Sequence, residues 1–78
     1  MARLMTLEQG KILPEALGEM EKGITLIEWF AGEGLRMGGI TQPSELAKNL
    51  LYTTRHPRGV VSIITPWNFP FAIPAWKI

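Results

Sequence analysis

Val60-Val61-Ser62-Ile63-Ile64-Thr65-Pro66-Trp67-Asn68-Phe69-Pro70 is the stretch on which the fold turns. Its first five residues are mostly β-branched and apolar on both faces, the pattern of a strand covered on two sides. Pro66 ends that strand, because proline has no N–H to give to a ladder. A helix is predicted to open near Pro70–Phe71, with Pro74 inside or close to its first turn. A buried strand that passes through a tight turn into a helix predicts one edge of an α/β fold. In open α/β sheets, ligands bind in the crevice beyond the carboxyl ends of the strands, which is where this turn would lie.

Upstream, Met1–Gln9 reads as a short helix that stops at Gly10. A longer helix opens at Pro14–Glu15. Leu17, Met20, Ile24, Ile27 and Ala31 recur at steps of three and four and predict its apolar face, widened by Leu26, Trp29 and Phe30. Glu19, Lys22 and Glu33 fall on the remaining arc. Gly18, Gly23 and Gly32 weaken a helix interior by up to about 1 kcal/mol each, which close approach of a neighbouring backbone would explain. Gly38-Gly39 ends the segment. Ile40–Ser44 is turn-like, Leu50–Thr54 leans towards strand through Tyr52, Thr53 and Thr54, and His56-Pro57-Arg58-Gly59 is a turn or crossing segment. The predicted order is helix, helix, strand, turn, buried strand, tight turn, helix.

The chain has 78 residues, of which 46% are hydrophobic, with three Trp and three Phe. So much apolar surface exceeds what a small single core can bury, so part of it is expected to lie against a partner chain, another domain or a remainder of the protein. The chain ends two turns into a helix that carries Trp76 and Ile78, which predicts truncation at the C-terminus. Net charge is +1 with the charges well mixed, so no basic stripe points to nucleic acid. With no cysteine there is no disulfide, no thiolate metal site and no cysteine nucleophile in these residues. His56 alone cannot build a metal site. Met1–Gln9 lacks the apolar core of a signal peptide, and no stretch has the length of a membrane span, which leaves a cytoplasmic location as the expectation and no membrane as partner.

Asn68 carries the candidate chemistry. Its carboxamide offers two N–H donors and no charge, which suits an oxyanion that develops during attack on a carbonyl. Asparagine is also a favoured N-cap, and Asn68 stands just before a predicted helix, so residue type alone leaves both readings open. Trp67 can wall a pocket. Glu28 and Glu33, five apart, do not share a helix face and read as solvated. His56 is expected to meet solvent or a backbone carbonyl, Lys77 reads as a solvated helix lysine, and Trp29 and Phe30 read as core or interface.

Pro66-Trp67-Asn68-Phe69-Pro70, preceded by Gly59-Val60-Val61-Ser62-Ile63-Ile64-Thr65 and followed by Ala75-Trp76-Lys77-Ile78, closely resembles a hallmark segment of the aldehyde dehydrogenase superfamily. Leu7-Glu8-Gln9-Gly10-Lys11, Pro14-Glu15-Ala16 and Glu28-Trp29-Phe30-Ala31-Gly32-Glu33-Gly34 are similar to the family's preceding segments, with a lean towards its semialdehyde branch. Ile12 and Leu17 depart from the proline and arginine usual there, and Asn49–Arg58 follows no family pattern. The resemblance implies that residues 1–78 are part of a Rossmann-like cofactor-binding domain from the N-terminal half of such an enzyme. It implies oxidation of an aldehyde to a carboxylic acid with NAD or NADP, in a homo-oligomer. A cysteine would attack the aldehyde, and a glutamate would assist hydrolysis of the thioester; both would lie beyond Ile78. Asn68 would hold the oxyanion, and Ile64, Thr65, Pro66, Trp67 and Asn68 would line the cofactor cleft. Without the cysteine and glutamate, these residues are expected to be inactive alone. The alternatives are a non-catalytic helical module that docks through Leu17, Met20, Ile24 and Ile27, and a truncated pseudogene product.

Overall fold

The computed structural model describes all residues, Met1–Ile78. Helix α1 spans Ala2–Gln9, α2 Leu13–Glu33 and α3 Ala72–Lys77, with two short strands between α2 and α3, β1 at Thr41–Gln42 and β2 at Leu51–Tyr52. Helices and strands both occur, as the α/β class requires.

Gly10 ends α1 in the left-handed conformation, φ 80°, and its N–H reaches the Thr6 carbonyl at 3.0 Å. A residue with a Cβ would be strained at that φ. Three residues later α2 begins, with Pro14 in its first turn, where no N–H is needed. The short link folds α1 back on α2. Ala2, Met5 and Ala16 form the core, and Leu13, Met20 and Phe71 pack against it. Ala16 is fully buried: at that position even a small side chain fills the space between the helices.

The buried face of α2 is Ala16, Glu19 and Gly23, with Met20 half-buried beside them. This corrects the expected face. Leu17, Ile24 and Ile27 are each about half exposed, and Glu19, placed on the polar arc by periodicity, is only 3% exposed. The reason is steric. Helix α3 crosses α2 so closely that the Phe71 ring lies where a Cβ on Gly23 would be. Only a stripe of small residues admits it. Of the three helix glycines expected to admit a neighbouring backbone, none does: Gly23 faces the Phe71 ring, Gly32 the Arg36 guanidinium, and Gly18 has nothing within 4 Å. Helix α2 also stops earlier than expected, at Glu33, where Arg36 reaches back to the Glu33 carboxylate at 2.8 Å.

The middle of the chain departs further from expectation. Ile40–Ser44 is not only turn: Thr41 and Gln42 pair antiparallel with Tyr52 and Leu51. The expected buried strand Val60–Ile64 does not form. These residues are outside any sheet and largely exposed, with Ile64 at 85%. A strand exists only through a neighbour that accepts its backbone bonds, and the β1–β2 ladder contains no strand beside 60–64. The excursion gives the molecule a radius of gyration of 19.2 Å; a compact domain of this length would have roughly 12 Å. The packed part is the α1–α2–α3 cluster, and the Pro66–Pro70 turn is mounted on it.

Candidate functional site

Helix α3 is held by a carboxylate from another helix. Glu19 Oε1 accepts the Phe71 N–H at 2.8 Å and the Ala72 N–H at 3.2 Å. The Ile73 N–H goes to the Phe69 carbonyl at 3.2 Å, and Pro74 has none to give. Every donor of the first turn is thereby accounted for. This corrects the N-cap reading of Asn68: the N-cap position is Phe71, no side chain of its own segment caps the helix, and the acceptor comes from α2.

The other oxygen of the same carboxylate, Oε2, accepts from Lys11 Nζ at 2.6 Å. Lys11 Nζ also donates to the Asn68 carbonyl at 2.7 Å and stands 4.2 Å from the centre of the Phe69 ring. One ammonium, placed directly after the Gly10 stop, thus ties the connection between α1 and α2 to the Pro66–Pro70 turn. Burial by itself would raise the Glu19 pKa, but the Lys11 ammonium and the two backbone N–H groups outweigh it and hold the carboxyl below its usual range. The Glu33–Arg36 pair is exposed and contributes at most about 1 kcal/mol. In the Lys11–Glu19 pair the carboxylate is buried and the ammonium half-buried, so removing the lysine strands a buried charge at a cost on the order of 3 kcal/mol.

Of the residues singled out from the sequence, Ile64, Pro66, Trp67 and Asn68 are exposed and Thr65 is half-buried. Trp67 is 83% exposed. With Pro70 and Phe71 it forms one wall of an open apolar groove of about 430 Å³ opposite Leu4, Met5 and Met20. Asn68 borders a separate, shallower depression with Gly10, Lys11 and Glu15. Lys77, read as solvated, is exposed yet donates to the Ile64 carbonyl at 3.1 Å, tying α3 to the chain entering the turn. His56 is exposed, as expected, and its Nε2 also lies 2.8 Å from the Thr54 hydroxyl. No helix is long and apolar enough to cross a membrane.

Lys11 and Glu19 were not singled out as functional in the sequence. One signal was present: Ala16, Glu19 and Gly23 lie three and four apart, so two small residues flank an acid on one helical stripe. A face of small residues marks close packing, and a carboxylate within it must find donors there.

The aldehyde dehydrogenase family profile matches residues 1–78, and the chain belongs to that family. Its curated relatives include several semialdehyde dehydrogenases. The chain is 52% identical over 77 residues to the alpha-ketoglutaric semialdehyde dehydrogenase of Bacillus subtilis (strain 168), covering 99% of this chain and 16% of the relative. It is 53% identical over 73 residues to the succinate-semialdehyde dehydrogenase (NADP(+)) GabD of Escherichia coli (strain K12), covering 94% and 15%. It is 51% identical over 73 residues to the non-phosphorylating aspartate-semialdehyde dehydrogenase of Halomonas elongata, again covering 94% and 15%. The chain therefore spans about one sixth of the length of these relatives. No solved structure matches it.

Proposed function

We propose that residues 1–78 are part of the Rossmann-like cofactor-binding domain of an NAD- or NADP-dependent dehydrogenase that oxidises an aldehyde, of the semialdehyde class, to a carboxylic acid. The observation that carries this reading is the anchored Pro66–Pro70 turn, held through Lys11 and Glu19, in a chain matched by the family from end to end. In the proposed enzyme the Asn68 carboxamide donates to the carbonyl oxygen on which negative charge develops. An uncharged donor suits this task, because it stabilises the oxyanion without pairing permanently with an anion in the ground state. The nucleophile, the base that activates water and the subunit contacts of a cytoplasmic homo-oligomer belong to parts of that enzyme other than these residues.

The residues fit one end of a dinucleotide. Ile64 and Trp67 expose apolar surface that a flat ring can cover, with Thr65 and Asn68 beside them as polar partners. They do not fit the phosphates: the two ammoniums beside them are already committed, Lys11 to Glu19 and the Asn68 carbonyl and Lys77 to the Ile64 carbonyl. Ile64, Thr65, Pro66, Trp67 and Asn68 would accordingly hold the nicotinamide end, which supplies the hydride acceptor when bound. These residues wall the ring and exclude water from it.

The test is Asn68→Ala in a full-length aldehyde dehydrogenase that carries residues 1–78. Loss of one oxyanion donor lowers kcat by about 10²–10³-fold; an unchanged kcat overturns the assignment. The exposed row Leu17, Ile24 and Ile27 favours a second reading, a helical module that docks on another chain. A single folded oligomer of residues 1–78 in sedimentation, formed without cofactor, supports that reading.

A further inference from the structure

We propose that Glu19 is a positioning residue for Asn68, acting through Lys11 and the first turn of α3; this rests on the reading of Asn68 as the oxyanion donor. The Glu19 carboxylate is the point where both ends of the Phe69–Ala72 segment are fixed. On one side it takes the N–H groups of Phe71 and Ala72. On the other it holds Lys11, whose ammonium donates to the backbone carbonyl of Asn68 itself. The same ammonium lies against the Phe69 ring. Residue 68 is thus restrained from two directions by one buried side chain, while its own side chain stays exposed at the rim of a depression. An amide donor works only if its direction is set before charge develops, and the direction of a side chain follows its backbone. Because Glu19 is on a 21-residue helix, it sets the position of the turn relative to a rigid element. No group on Glu19 or Lys11 touches a reacting atom in this scheme.

Glu19→Gln and Asn68→Ala are made singly and together in a full-length aldehyde dehydrogenase carrying residues 1–78, and kcat, KM and melting temperature are measured for each. Glutamine retains an oxygen for Phe71 and Ala72 but ends the ion pair. The single variant is expected to lose roughly 10- to 100-fold in kcat with KM little changed, as small displacements of a catalytic group do. In the Asn68→Ala background the same change is expected to lower the melting temperature as before but to leave kcat nearly where it was. An equal fold-loss in both backgrounds overturns the inference and leaves the Asn68 reading intact. An Asn68→Ala enzyme with full kcat overturns both. If Glu19→Gln fails to fold, Lys11→Met enters the same cycle under the same criteria. Failure of both to fold assigns the pair to folding alone and overturns the inference.

Discussion

The Phe71 ring occupies the position that a Cβ on Gly23 would take, so α2 and α3 meet at a site where only hydrogen fits. Gly23→Ala is therefore expected to destabilise the protein that carries this segment by about 1–3 kcal/mol, the usual cost of overpacking. Gly18, on the same helix, has nothing within 4 Å of a built Cβ. Gly18→Ala is expected to stabilise by up to about 1 kcal/mol, because alanine restricts the unfolded chain and favours helix. Thermal denaturation of the two variants side by side checks the pair; equal shifts of the same sign would contradict the packing described.

The Lys11–Glu19 pair predicts strong non-additivity. Lys11→Met leaves a buried carboxylate without its cation and is expected to cost about 3 kcal/mol or more. Adding Glu19→Gln removes the stranded charge, so the double variant should lose clearly less than the sum of the singles. Denaturant midpoints for the four proteins of the cycle measure this directly.

Acid should act on the same pair. The Glu19 carboxyl is held below its usual range in the fold. A depressed carboxyl contributes stability that is fully present above the unfolded value, about 4.3, and is lost as pH falls through that value and on through the lower folded one. The stability difference between the parent and Glu19→Gln is thus expected to be constant above about pH 6 and to shrink steadily below about pH 4.5. A difference that grows on acidification would contradict the sign.

Asn68→Asp offers a charge test of the proposed site. Aspartate matches asparagine in shape but places an anion beside the developing oxyanion, so kcat is expected to fall at least as far as the roughly 10²–10³-fold of Asn68→Ala. A kcat that survives the aspartate would remove the electrostatic role given to residue 68.

Local chemistry was legible in the sequence where local chemistry decides the outcome. The Gly10 stop, the entry of α2 at Pro14 and the helix that tolerates Pro74 are all set by neighbours within a few residues. Glu19 was not legible as a buried group, because the two backbone donors that bury it are 52 and 53 positions away and periodicity counts only apolar side chains. Asn68 was weighed as a cap on residue type, a preference that yields when a better-placed carboxylate takes the same N–H groups. Val60–Ile64 has every local mark of a strand, but β-propensity describes how side chains fit a pleated surface and does not supply the neighbouring strand.

The bond from the Phe71 N–H to Glu19 closes a loop of about 50 residues, whose chain-entropy cost is roughly 3–4 kcal/mol. That cost rises only logarithmically, by about 0.6 kcal/mol for each doubling. The clasp is therefore nearly indifferent to how much chain runs out and back between Gly34 and Gly59. That excursion is where the scaffold has room for insertions: added residues there would lengthen a tether without loosening the latch it ends in.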